Sequence, residues 1–529
     1  MVEQTETLIG LQFDPKERDS MLTDLDDYLD AYKKIRSITI PNSIVPAMQF
    51  NPLPNGFTSE TTYHKIAWSP AGQISGELNE SKLAYLSVRD LAELIKTKRL
   101  TSVELTKVCL ARLKRFDSVL HCVVTLTEDL ALRQAVAADS EIAAGTYRGL
   151  LHGIPYGAKD LLSVKGYPTS WGSNIYKTQT FAHDADVIAK LNQAGAVLVA
   201  KLSLGELAWG DVWFGGTTRN PWQPDSGSSG SSAGSASAVS AGLVPFAIGS
   251  ETWGSIVSPS TVCGTTGLRP TYGRVSRAGA MALSWSMDKL GPICRTVEDC
   301  AIVLDAIHGT SIGNNRRAKD PSAVDIPFNY DPSIDIKQLK IGFLKDDFNN
   351  DSSYASFNKS ALKTLRDLGA RLKAISLPNY PIDAMSLILT AEAASAFDDL
   401  TRSNNDTLMV RQIKNAWPNV FRGARFIPAV EYIQANRLRT MVIDSMALIM
   451  DSVDLYIAPS FEGNNLLMTN LTGHPCVVLP NGFDSTGNPV SICLIGRLYG
   501  EATLLAVAKK YQDATDFHLR HPERFSGKF

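Results

Sequence analysis

Apolar residues first recur at helical spacing between Met21 and Ile35, where Leu22, Leu25, Tyr28, Leu29 and Tyr32 complete one stripe. Asp14 and Pro15 ahead of them suit an N-cap and a first helical position. Such a helix needs a surface to lie on. The next stretch, PNSIVPAMQFNPLPNGF, carries four prolines and predicts an extended run along the main body. Packing is the simpler role for it, and substrate gating the alternative. Helical spacing returns at Ser87, an N-cap for a face of Val88, Leu91, Leu94 and Ile95. A second helix opens at Ser102 with Val103, Leu105, Val108, Leu110 and Leu113, and an alanine-rich third runs over 127–143 until Gly145 stops it. Beyond them the short apolar runs AVLVAK, LVPFAIG, LKIGFL, VDLYIAP, PCVVLP and VSICLIG alternate with helical stretches. That alternation predicts an α/β fold, a sheet covered by helices on both faces. No repeat of solenoid or propeller period interrupts it.

Composition narrows the function more than the fold. At 529 residues, with 44% hydrophobic and 20% charged residues, the chain reads as an ordinary globular protein. The 52 basic and 54 acidic side chains nearly cancel, so no global field gathers phosphate backbones or anionic lipid. We therefore expect no nucleic-acid partner and no membrane, and a cytoplasmic location, since the N-terminus has no signal-peptide pattern and no apolar run is long enough to span a bilayer. The seven cysteines are scattered without a Cys-x-x-Cys pair, which favours reduced, buried thiols over a metal or disulfide framework. Cys263 alone lies close in sequence to candidate chemistry.

Two stretches stand out chemically. The run SGSSGSSAGSASAVSAG, residues 226–242, has the composition of a flexible linker but leads without a break into LVPFAIGSETWGS. Its other reading is a loop of small residues that brings backbone amides close to a substrate, followed by a packed helix over 235–241. Upstream, LHGIPYGAKDLL holds one lysine, Lys159, in an apolar run that reads as a strand entering a turn. The adjacent Asp160 would point to the opposite face of such a strand and could not readily neutralise it.

Taken together, HGIPYGAKD, the glycine-serine stretch and GSETWGSIVSPSTVCGTTGLRPTYGRVS resemble the amidase-signature family. TRNPW, DKLGPICRTVEDC and NLTGHPCVVLPNGFDSTGNPVSICLIG follow in the family's order, so the resemblance covers residues 81–529 as a catalytic domain and leaves 1–80 as a helical and extended segment packing on it. It implies a large mixed β-sheet flanked by helices. It also implies an amidase that hydrolyses linear amide C–N bonds with no cofactor and no metal. Aligned with the family, Ser231 is the serine of a cis peptide, Ser255, 24 residues later, is the nucleophile, and Lys159 is the base. The backbone amides of Thr252, Trp253, Gly254 and Ser255 would form the oxyanion hole, and Trp209 would lie near the acyl chain beside Trp253.

The residue types can sustain that chemistry. A serine hydroxyl needs a base within reach, a role histidine fills in the commonest triads. Here the eight histidines are scattered, and His152 would sit on the approach strand seven residues before the lysine. A lysine can replace histidine when burial keeps it neutral. Ser231 would then relay a proton from Ser255 to Lys159 and back to the leaving amine.

Around Ser255 the sequence departs from the family. Glu251 stands where aspartate is usual, Trp253 where glycine is, and Val257 where arginine often follows Ser-Ile. The usual carboxylate–arginine pair is lost from those positions, so Glu251 must find another partner. A tryptophan at 253 either narrows the acyl site or packs into the core. In the glycine loop, Ser229 and Ala233 are small replacements for glycine. The leading reading is hydrolysis of a small-molecule amide, anilide, ester or carbamate through an acyl-serine, by a free-standing enzyme or a homodimer. A second reading is the glutaminase subunit of a tRNA-dependent amidotransferase, against which the departures and the N-terminal extension weigh. A third is a non-catalytic scaffold of the same fold, against which the presence of Lys159, Ser231 and Ser255 weighs.

Overall fold

The computed structural model describes residues 2–311 and 319–526. Eleven strands form one mixed sheet: β1 (Val123–Leu126), β2 (Pro155–Lys159), β3 (Val197–Leu202), β4 (Phe246–Glu251), β5 (Thr266–Arg269), β6 (Lys289–Cys294), β7 (Lys340–Leu344), β8 (Arg371–Ile375), β9 (Leu455–Pro459), β10 (Cys476–Phe483) and β11 (Pro489–Gly496). Their order is β1-β3-β2-β4-β6-β5-β10-β11-β9-β7-β8. The pairs β2–β3, β2–β4, β7–β8 and β7–β9 are parallel, and the remaining pairs are antiparallel.

Alternation along the strands explains why their apolar runs are continuous. In β4, Phe246 and Ile248 enter one hydrophobic cluster while Ala247 enters another. In β9, Leu455 and Ile457 face one way and Tyr456 and Ala458 the other. A sheet buried on both faces offers no polar side, as the sequence pattern predicts.

The three helices ahead of the first motif form where expected: α2 (Val88–Lys96), α3 (Ser102–Leu120) and α4 (Glu128–Ala143) follow the N-terminal helix α1 (Pro15–Arg36). Ser87 caps α2 through the Asp90 amide, and Thr101 closes a capping box with Glu104 at the start of α3. Gly145, beyond α4, has the positive φ that ends a helix.

The N-terminal segment differs from expectation in one respect. Asp14 caps α1 in a box with Glu17, as Asp-Pro predicts, but α1 buries none of its residues. Leu22, Tyr28 and Ile35 are each about half exposed or more, so the stripe that needs a surface finds none among the described residues. The extended run after it does lie along the body. Phe50 packs edge-on against Tyr272, Pro52 is buried, and the Ala67 amide donates to the Tyr330 carbonyl at 3.0 Å. Among the described residues no helix is long and apolar enough to cross a membrane.

Candidate functional site

Lys159 ends β2, a strand buried along its whole length, and has no exposed surface. Its Nζ is 2.8 Å from Ser231 Oγ, 2.8 Å from Ser250 Oγ and 3.1 Å from Ser232 Oγ. The group is ringed by hydroxyls, and no carboxylate among the described residues pairs with it. Burial pushes its pKa well below the usual lysine range, and the more distant charges of Asp288 and Glu251 only partly oppose the shift. Asp160 does turn away, as strand geometry predicts. It pairs instead with buried Lys201 of β3 at 2.5 Å and accepts from the Ser170 amide at 2.8 Å.

The glycine-serine stretch is no linker. Residues 231–250 are all buried, and the small side chains of α5 (Ala233–Ser240) let this helix lie directly on the sheet. The loop before it carries Ser231, joined to Gly230 by a cis peptide bond. Gly230 is required there, because a Cβ would collide with the Gly210 carbonyl oxygen. Ser229 holds a left-handed φ of 57°, with its amide donating to Asp211 and its hydroxyl 2.7 Å from that of Ser258. Cys263 closes the same loop from below as a weak donor to the Ser228 carbonyl. Burial pushes its thiol pKa up, away from the reactive thiolate.

Ser255 follows β4 in a tight turn ahead of α6 (Val257–Cys263) and is 8% exposed. Its carbonyl accepts from the Ser232 amide at 3.1 Å, which ties this turn to the Ser231 loop. The turn depends on Gly254, whose φ of +83° suits glycine. Among the described residues the amides of Trp253, Gly254 and Ser255 donate to no other group, so the turn presents three free N–H donors beside the serine. Thr252 joins them on the turn and donates its hydroxyl to Asp288 at 2.6 Å.

Glu251 finds a partner that local sequence reading misses. Its Oε1 accepts from Arg269 at 2.8 Å and from Asn470 at 2.8 Å, and its Oε2 accepts from the Ile256 and Val257 amides at the start of α6. Burial alone would raise this carboxyl, but Arg269 and the other donors outweigh it and hold the pKa at about 2. Glu251 therefore has an arginine partner after all, Arg269 of β5, supplied by the GLRPTYG run. Asp288, in the DKLGP run, is partly buried. Desolvation raises its pKa despite bonds from Thr252 and from the Leu283 and Ser284 amides.

His152 lies outside this cluster, tied to Glu141 and to the Arg148 amide. Trp209 is half-buried beneath the Arg411 guanidinium, 4.5 Å from ring centroid to carbon. Trp253 is 43% exposed, so it neither packs into the core nor lines the adjacent cavity. That cavity, of about 420 Å³, meets the cluster at Ser250, Thr252 and Asp288 and is walled by Trp171, Phe181, Met281, Leu283, Trp285 and Leu290. Neither Trp209, Ser231 nor Ser255 lines it. The partners of Lys159 at Ser232 and Ser250, and the Thr252–Asp288 bond, are residues that sequence reading passes over. Their only signal is position within the quoted motifs.

Comparison with known proteins gives one family. The family model for amidases matches residues 104–468. A glutamyl-tRNA(Gln) amidotransferase subunit from Methylococcus capsulatus is 34% identical over 484 residues, 82% of this chain and 98% of that protein. Its Chloroflexus aurantiacus counterpart is 35% identical over 494 residues, 84% of this chain and 99% of that protein. Among solved structures, native peptide amidase from Stenotrophomonas maltophilia superposes with a TM-score of 0.71 at 29% identity, covering 81% of this chain and 97% of that one. These relatives correct the expectation of a free-standing enzyme for a small amide or ester with no nucleic acid involved. The first two are named as one subunit of a larger enzyme, and the substrate in their name is a tRNA. Near-neutral total charge misled here because it reports the sum over one chain. It says nothing of local patches or of other subunits.

Proposed function

Because the chain belongs to the amidase family, enzymes that hydrolyse amide C–N bonds, we propose that it cleaves a carboxamide through an acyl-enzyme on Ser255. Ser255 Oγ attacks the carbonyl carbon as its proton passes to Ser231 Oγ and the Ser231 proton passes to neutral Lys159 Nζ. The carbonyl oxygen becomes an oxyanion and accepts from the amides of the turn, Thr252, Trp253, Gly254 and Ser255, where each donor is worth about 3 to 4 kcal/mol in the transition state. Collapse breaks the C–N bond, and the leaving amine takes the proton back from Lys159 through Ser231. Water then releases the acyl group by the same relay in reverse. The observation that carries this reading is the 2.8 Å contact of a fully buried, carboxylate-free lysine with Ser231. Labelling by a fluorophosphonate, lost in Ser255→Ala, is its test. A folded wild type that fails to label would remove the reading.

For the substrate, the relatives favour the side-chain amide of glutamine, with the chain as the glutaminase subunit of a tRNA-dependent amidotransferase. Its support is 34% identity across 98% of the Methylococcus relative. The Glu251–Arg269 pair weakens the objection from the altered loop. A second reading, an amide with an apolar or aromatic acyl group, is favoured by the largely apolar wall of the cavity beside Thr252. Ammonia released from glutamine, together with copurifying subunits, would support the first. Anilide cleavage without glutamine turnover would support the second.

A further inference from the structure

The cavity beside Thr252 is finished by a part of the chain that the family model does not include. Its wall takes in Pro41, Asn42, Ser43 and Val45, whereas the matched residues are 104–468. Residues 41–45 are held there by the side chain of Asn42. Its Oδ1 accepts from the Ala282 amide at 2.8 Å, and its Nδ2 donates to the Ala282 carbonyl at 2.8 Å and to the Ala396 carbonyl at 3.3 Å. One carboxamide thus answers both backbone groups of a residue that itself lines the cavity, as a neighbouring strand would. Val45 stands between this cavity and a second one of about 250 Å³, which is covered by Met48, Gln49 and Phe50. Phe50 anchors that stretch, with the Arg439 guanidinium 3.5 Å from its ring centroid.

We propose that the cavity beside Thr252 receives the acyl group and that residues 41–45, latched by Asn42, are a specificity-determining wall of it, which limits the size of the acyl group that this chain accepts. The proposal rests on amide cleavage at Ser255. A wall supplied from outside the family core explains how a shared relay serves a substrate range particular to this chain. Relay residues set the reaction, while the walls set what fits.

The test compares wild type, Asn42→Ala and Val45→Phe on a series of acyl p-nitroanilides from two to ten carbons, with fluorophosphonate labelling of Ser255 measured on each. Asn42→Ala frees the wall, and kcat/KM for the longest acyl group relative to the shortest should rise about tenfold, the effect of one or two methylenes in an apolar pocket. Val45→Phe narrows the cavity and should lower that ratio by a similar factor, with labelling unchanged in both. Equal ratios in all three proteins with intact labelling would overturn the wall and leave the amide-cleavage reading standing. A wild type that labels but cleaves no member of the series would likewise overturn the wall, and one that neither labels nor cleaves would overturn both.

Discussion

Lys159 and Lys201 lie near the ends of neighbouring parallel strands, both fully buried, and differ in what surrounds them. Lys201 meets the Asp160 carboxylate at 2.5 Å and the Thr169 hydroxyl at 3.0 Å. Lys159 meets three serine hydroxyls. A buried ammonium with a carboxylate partner remains an ion pair. One with hydroxyls and a backbone carbonyl but no carboxylate is driven toward the neutral amine, which can accept a proton. The same residue type, one strand apart, serves as structure in one place and as the proposed base in the other.

The largest separation should come from replacing each lysine by methionine. Lys159→Met should lower turnover by about 10³-fold or more, as loss of a catalytic base does. Its thermal stability should hold or rise. The sign follows from linkage: the folded pKa lies below the unfolded one, so the unfolded chain binds more protons between them. The native-state penalty is therefore full at low pH and fades as pH climbs toward the ordinary lysine range. Lys201→Met should do the reverse. It strands the Asp160 charge in the interior at a cost of about 3–5 kcal/mol, read as a lower denaturant midpoint. Turnover per folded molecule should persist. If both variants lost stability and kept activity, the distinction between the two sites would fail.

Glu251→Gln should produce an intermediate effect of roughly 3 kcal/mol by unpairing Arg269. Since the folded carboxyl titrates at about 2, its stabilisation is complete above the ordinary glutamate range and is lost as pH falls toward 2. Acid unfolding of the variant should consequently be flatter than that of wild type. Trp253→Gly should change least. With its indole 43% exposed and off the cavity wall, relative rates across an acyl series should stay within about twofold, and stability within about 1 kcal/mol. A strong shift in acyl preference would place the indole over the substrate.

What the sequence made legible follows the range of each cause. Asp14, Ser87 and the two-sided apolar runs act over a few residues, and the caps and strands they predict are present. The contact of Lys159 with Ser231, 72 residues on, joins two of the motifs that the spacing singles out, and Ser255 is tied to the same loop through the Ser232 amide. Arg269 was not legible as the partner of Glu251, because the two residues are 18 apart in sequence and on different strands. Nor was the exposure of the α1 stripe. Periodicity shows that a face wants cover, and it cannot say whether this chain supplies it. The role of Trp253 was open for a similar reason: a single aromatic residue in a turn carries no period to say which way it points.

The most direct measurement is the rate of fluorophosphonate labelling at Ser255 as a function of pH, in wild type and in Lys159→Met. Wild type should label faster as pH rises through one ionisation below the ordinary lysine range, and the variant should label slowly at every pH. A variant that labels at the wild-type rate, or a wild type whose rate is flat with pH, would contradict Lys159 as the base.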